Sequence, residues 1–302
     1  MSSKATSTGI DLRRGTTILF AALLAAAAPH AMAQSALNFF QPFGRLLNIS
    51  TRARVGAGDN VLIAGFTIVG TAPKKIIVRA LGPSLEQFGV NGALPDAALE
   101  LHDASGALLA TNENWKNGQR DEIEAEHLAP SDDREAALIR TLEPGAYTAI
   151  VRGSGDTTGV ALVEVYDGDG AGGASVLANV STRAFTSSGS PIIGGVIVSG
   201  EGVPFNRIVV RAIGPTLRTS GIQHTLDDPT LELRDADGAL IQENDDWEES
   251  ARSDTLEDRG LAPSDEHEAA VVGLLGPGAF TAIVRGSDDS AGAALVEFYQ
   301  IR

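Results

Sequence analysis

The chain has 302 residues, 43% of them hydrophobic, with 34 glycines and 13 prolines, as in a globular protein rich in turns. Its formal net charge is −16 and it contains no cysteine. The charge repels phosphate backbones and anionic headgroups, so nucleic acid is not an expected partner, while divalent cations, cationic surfaces and neutral glycans remain open; the missing thiols exclude disulfides, zinc–thiolate and iron–sulfur sites and cysteine nucleophiles.

In chain order, residues 1–33 read as a cleavable export signal. Arg13 and Arg14 lead into the apolar run Thr17 to Ala28, and Ala31-Met32-Ala33 supplies an A-x-A cleavage site. The run is too short for a membrane span, which needs about 20 residues. Cleavage leaves a chain with no expected transmembrane anchor, exported to the cell surface, the medium or the periplasm. Residues 34–45, with Phe39, Phe40 and Phe43, form a lead-in.

The rest is one module written twice. NISTRA at 48–53 returns as NVSTRA at 179–184, and IIVRALGPSL at 76–85 as IVVRAIGPTL at 208–217. LELHDASGALL at 99–109 returns as LELRDADGALI at 231–241, LAPSDDREAAL at 128–138 as LAPSDEHEAAV at 261–271, PGAYTAIVRGS at 144–154 as PGAFTAIVRGS at 277–287, and ALVEVY at 161–166 as ALVEFY at 294–299. Self-similarity of this kind marks duplication. It divides the chain into copy one (46–167), a glycine-rich linker (168–175) and copy two (176–302).

Within each copy the hydrophobic period is two. Short runs rich in Val, Ile, Leu and Thr are separated by GAGDN, DASG, EPG and GSGDTTG. This predicts an all-β fold with minimal helix, two tandem antiparallel β-sandwiches of jelly-roll-like form. LELHD-ASG-ALLATN and AALIRTL-EPG-AYTAIV read as hairpins. SLEQFG reads as one helical turn capped by Ser84, and QRDEIEAEHL (119–128) as a short surface helix.

The motifs STRA, R-A-x-G-P-[ST]-L, SD-x-x-EAA, PGA[YF]TAIVRG and ALVE-x-Y resemble a repeat of large secreted and surface proteins of environmental bacteria. The half of each copy from LELHD to ALVEVY resembles the bacterial pre-peptidase C-terminal domain, a jelly-roll-like sandwich. The first resemblance implies export and modularity, the second an accessory role such as adhesion to a substrate or surface.

Candidate chemistry is sparse. Gly168 to Gly173 spells G-x-G-x-x-G, but a strand rather than a helix is expected to follow, so it reads as linker and not as a dinucleotide site. Glu100 and Glu164, matched by Glu232 and Glu297, lie in strands with Arg79, Arg152, Arg211 and Arg285 at matched positions. They read either as a glycosidase-like acid/base pair or as cross-strand charge pairing, and their presence in both copies favours the pairing. The histidines form no ligand-spaced pair, and there is no G-x-S-x-G elbow. Asp103, Asn112, Glu113 and Asn114, with Asp235, Asn244, Asp245 and Asp246, cluster at hairpins, and Asp132, Asp133 and Glu135 at a further loop. Hard oxygens at turns suit Ca²⁺, with Asp103, Asn114, Asp235 and Asp246 as candidate ligands, though the same side chains also bond their own backbone. Trp115 and Trp247 occupy one equivalent position beside Asn112 and Asn244. There they form either a sugar-stacking platform with amides for the hydroxyls or a closure of the core. Asn48 and Asn179 head N-x-S strings that read as strand.

These readings favour a secreted, non-enzymatic binding, adhesion or structural module that engages a glycan or a surface protein. The alternative is a secreted hydrolase with an unfamiliar carboxylate site.

Overall fold

The computed structural model describes residues 45–169, 173–200 and 205–301. The expected export segment 1–33, all but the last residue of the lead-in and residues 170–172 of the linker lie outside them. Among the described residues copy one folds as β1 (Leu46–Val55), β2 (Leu62–Gly70), β3 (Lys74–Leu81), β4 (Ala97–Asp103), β5 (Leu108–Asn112), β6 (Ala136–Leu142), β7 (Gly145–Gly153) and β8 (Gly159–Asp167). Copy two repeats them as β9 (Ser175–Thr186), β10 (Ile192–Val198), β11 (Asn206–Ile213), β12 (Pro229–Arg234), β13 (Leu240–Asn244), β14 (Ala269–Leu275), β15 (Gly278–Gly286) and β16 (Gly292–Ile301). Helix is confined to α1 (Arg120–Ala125), α2 (Ser253–Asp258) and short 3₁₀ turns such as Pro83–Phe88 and Pro215–Ser220. No helix among the described residues is long and apolar enough to cross a membrane.

The fold is all-β, and period-two alternation decides which side chains enter it. In β3, Ile76, Val78 and Ala80 join the main core, while Ile77 and Arg79 face the other way. Within copy one, β6-β3-β8-β1 make one layer and β5-β4-β7-β2 the other, every pairing antiparallel. The chain changes layer at every connection except β4–β5, which gives the two interleaved Greek keys of a jelly roll. Copy two follows the same order.

Two local expectations are corrected. AALIRTL-EPG-AYTAIV is not a hairpin, because β6 pairs with β3 and β7 with β2 and β4 in opposite layers. Its short turn carries the chain across the sandwich, an outcome that alternation alone does not separate from a hairpin. Ser84 does not cap the 3₁₀ turn Pro83–Phe88; Gly82 stands at the cap position, and the Ser84 hydroxyl donates to Glu135 instead. The expected short helix is present as α1.

The copies join by exchanging neighbours. β1 pairs on one side with β8 of its own copy and on the other with β10 of copy two; β9 pairs with β16 and with β2 of copy one. Each layer thus runs through both copies as eight antiparallel strands, β6-β3-β8-β1-β10-β15-β12-β13 and β5-β4-β7-β2-β9-β16-β11-β14. One continuous core lies between the layers, from Leu138 and Val78 in copy one to Val210 and Phe298 in copy two.

At the seam the repeated STRA motif meets itself. Thr51 and Thr182, equivalent residues, are both buried, and their hydroxyls hydrogen-bond each other at 2.8 Å. The adjoining serines explain two glycines. A Cβ on Gly195 would lie 2.7 Å from Ser50 Oγ, and one on Gly65 2.8 Å from Ser181 Oγ. The seam therefore has a local twofold character, with each STRA serine opposite a glycine of the other copy.

Because each seam threonine satisfies the other, removing one hydroxyl leaves its mate buried and unpaired. Thr51→Val should lower stability by about 1–3 kcal/mol in denaturant unfolding, and adding Thr182→Val should recover most of that loss. Additive losses would show that the two hydroxyls do not act as a pair.

Candidate functional site

The strand carboxylates are spent on structure. Arg79 on β3 donates from Nε to Glu164 Oε2 on β8 (2.9 Å), from Nη1 to the Leu128 carbonyl (2.9 Å) and from Nη2 to the Tyr166 hydroxyl (3.0 Å). Tyr166 donates in turn to Glu164 Oε1 at 2.9 Å, and the guanidinium lies 5.3 Å from the centroid of the Tyr166 ring. Copy two repeats every contact with Arg211, Glu297, Leu261 and Tyr299. Burial, then the carboxylate beside it, pushes the Tyr166 phenol up to about 12, so it remains a donor. Tyr299 is raised for the same reasons.

Glu100 accepts from His102 at 3.0 Å, with Arg152 3.7 Å away, and Glu232 is held by Arg234 and Arg285. These pairings lie within a strand or between neighbouring strands, as the pairing reading expects.

Glu135 and Glu268 have a structural use that sequence reasoning missed. Glu135 is fully buried, and its Oε1 accepts from the backbone N–H groups of Gly82 and Ser84 at 3.0 and 2.9 Å and from the Ser84 hydroxyl. Glu268 does the same for Gly214 and Thr216, and burial raises its carboxyl above the usual range despite those bonds. The R-A-x-G-P-[ST]-L and SD-x-x-EAA motifs are thus two halves of one device, a buried carboxylate that ties down a 3₁₀ turn. The available signal was that both strings recur together with the Ser/Thr and Glu retained.

Trp115 and Trp247 are not stacking platforms. Each is under a tenth exposed, in a small second core on the outer face of a layer, below the excursion that carries α1 or α2. Trp115 packs with Ile77, Ile123, Ala137 and Ile139 and donates from Nε1 to the Asp132 carbonyl at 3.1 Å. Neighbouring Asn112 accepts from Ala137 N and donates to the Asn114 carbonyl, and Asn244 bonds Ala270 N and the Asp246 carbonyl likewise. These amides stitch the excursion to β6 and β14, which leaves neither ring nor amide facing a ligand.

Of the oxygens considered for calcium, those of Asp103, Asp235 and Asn114 bond their own turns. Asp103 Oδ1 accepts from the Ser105 hydroxyl and from the backbone N–H groups of Ser105 and Ala107, and these bonds hold its carboxyl below the usual range. Asp235 Oδ1 accepts from Asp237 N and Ala239 N, and Asn114 Oδ1 from Lys116 N. Asp246 takes the Asn244 amide and Glu249 N on its backbone carbonyl. Among the described residues no three His, Cys, Asp or Glu side chains are gathered to hold a metal ion.

One buried ion pair distinguishes the copies. Lys74 Nζ lies 2.6 Å from Asp167 Oδ1, with both side chains fully buried, at the ends of β3 and β8 beside the linker. At the same place in copy two Gln300 Nε2 donates to Asn206 Oδ1 at 3.0 Å, a neutral amide pair. Two charges without solvent are costly unless paired, and loss of one partner costs more than replacement of both.

No protein-family profile and no curated protein matches the chain. Among solved structures it is similar to a chain from the atomic structure of Sulfolobus turreted icosahedral virus, at 9% identity over 86% of this chain and 90% of that one, with a TM-score of 0.22. It is also similar to a DUF4785 family protein from Legionella pneumophila, at 10% identity over 86% of this chain and 81% of that one, with a TM-score of 0.23.

Lys74→Asn alone should strand the Asp167 carboxylate and cost about 3–5 kcal/mol, and Lys74→Asn with Asp167→Gln should regain most of it. A double variant no better than the single one in denaturant unfolding would contradict this equivalence.

Proposed function

We propose that the chain is an exported, non-enzymatic binding or structural module, adhesive in character, acting at the cell surface or outside the cell on a glycan or a surface protein. The observation that carries this reading is the fate of the strand carboxylates. Glu164 and Glu297 are held by identical arginine–tyrosine networks in two copies, and Glu100 and Glu232 are also ion-paired. A scaffold needs such pairs in both halves, whereas a catalytic pair requires one carboxyl held free to exchange a proton with substrate.

Surface chemistry adds support. Each copy presents two adjacent aliphatic residues on the strand that ends its layer, Leu108 and Leu109 on β5 and Leu240 and Ile241 on β13, all four at least 40% exposed. Exposed apolar side chains at matched positions offer two like contact points, and two weak contacts on one rigid body gain avidity. The export signal expected from the sequence, and repeat motifs that resemble modules of secreted bacterial proteins, suit this role.

The test combines a glycan array and a pull-down from culture with a screen for polysaccharide and peptide hydrolysis. Retention without turnover is expected, and Glu100→Gln and Glu232→Gln should leave retention unchanged. Turnover that either substitution abolishes would establish the hydrolase instead, and empty binding screens would reduce the role to scaffolding.

A further inference from the structure

At the seam between the copies lies an open pocket of about 300 Å³ that neither copy forms alone. Copy one contributes Arg52, the loop Phe88–Asn91 and Val160; copy two contributes the β9–β10 loop residues Gly189, Ser190 and Pro191, with Ile193 on β10. Its size is at the lower end for small-ligand sites, matching one ring-sized group.

The pocket is chemically distinctive because the local twofold is broken there. Arg52 and Arg183 are equivalent residues of the two STRA motifs. Burial lowers the basicity of Arg183, and Asp59, on the β1–β2 loop, acts against that from close by. The corresponding loop of copy two, residues 187–191, reads SSGSP and carries no acid. The half-buried Arg52 side chain makes no hydrogen bond or ion pair among the described residues, in a chain of net charge −16. Phe88 is 77% exposed, the most exposed of the large apolar side chains described, where copy two has Ser220. Asn91 and Ser190 add an amide and a hydroxyl to the lining.

These groups together have the chemistry of a carboxylated sugar site. A guanidinium without a partner takes a carboxylate in a paired, charge-assisted hydrogen bond. An exposed aromatic ring offers an apolar face to the C–H face of a pyranose, while an amide and a hydroxyl suit ring hydroxyls. We propose that the seam pocket binds a carboxylate-bearing sugar unit, a uronate, with Arg52 taking the carboxylate and Phe88 the ring face. This assignment rests on the binding-module reading and narrows its ligand class. The net negative charge opposes a long polyanion from afar, so recognition depends on contact at Arg52 and favours a short or terminal uronate.

The experiment is calorimetric titration of the purified full chain with a short oligogalacturonate, with the neutral oligogalactose of equal length as counterpart. The oligogalacturonate should bind and the oligogalactose should bind at least about tenfold more weakly, since the charge-assisted pair is lost. Arg52→Gln should weaken oligogalacturonate binding by about tenfold or more, and Ser190→Asp, which supplies from the β9–β10 loop an acid like Asp59, should do the same by occupying Arg52. Arg183→Gln should change affinity less than about twofold, because its site already holds a counter-charge. Thermal melting of each variant separates loss of binding from loss of fold. Equal affinity for both oligomers, or oligogalacturonate binding unaffected in both folded Arg52→Gln and Ser190→Asp, would overturn the assignment. If a glycan or protein ligand is found elsewhere while oligogalacturonate does not bind, the pocket assignment falls and the binding-module reading stands. Uronate binding at Arg52 accompanied by turnover would do the reverse.

Discussion

A jelly roll leaves an open edge where its first and second strands end their layers, and backbone N–H and C=O groups along such an edge need partners. Here β1 and β2 form that edge in copy one, β9 and β10 in copy two, and each edge completes the other. Pairing β1 with β10 and β9 with β2 satisfies all four strands at once, and it fixes much else. It places the STRA motifs across from each other, requires glycine opposite Ser50 and Ser181, and merges two cores into one. Duplication is thus the means by which this fold covers that edge, and the seam it creates is a surface that a single copy cannot have.

That seam sorts what the two copies share from what they do not. Networks that hold each jelly roll together are kept in both, including Arg79–Glu164–Tyr166 with Arg211–Glu297–Tyr299 and Glu135 with Glu268. Two differences lie beside the junction. The Lys74–Asp167 ion pair faces the linker, whereas its counterpart is a neutral amide pair. Asp59 acts on Arg183, whereas the shorter β9–β10 loop of copy two leaves Arg52 without an acid. A twofold frame with one unlike site is a physical route from a symmetric scaffold to a single binding pocket.

Much of the architecture was legible in the sequence for a simple reason: alternation reports which face a residue occupies. It identified the strands, the β4–β5 hairpin and the all-β class. Alternation does not report which strand lies alongside, so the crossing from β6 to β7 looked like a hairpin and the exchange at the seam was invisible. Recurrence of Trp115 and Trp247 beside Asn112 and Asn244 marked a shared device correctly but not its burial, because the α1 and α2 excursions that cover them are short polar segments in sequence. Glu135 looked like a loop acid until its partners at Gly82 and Ser84, some fifty residues away, came into view. Arg52 could not be singled out from the sequence, because its lack of a partner depends on a loop from the other copy.

The central claim is that the two copies are one folding unit joined through the seam strands. Native-state hydrogen exchange under increasing denaturant tests it most directly, with the amides of β1 and β2 followed separately from those of β12 and β15. A single shared opening free energy for the protected amides of both copies is the predicted result, with Thr51→Val lowering it equally in each. Two distinct opening energies, with that substitution affecting only copy one, would show two independent sandwiches and contradict the account.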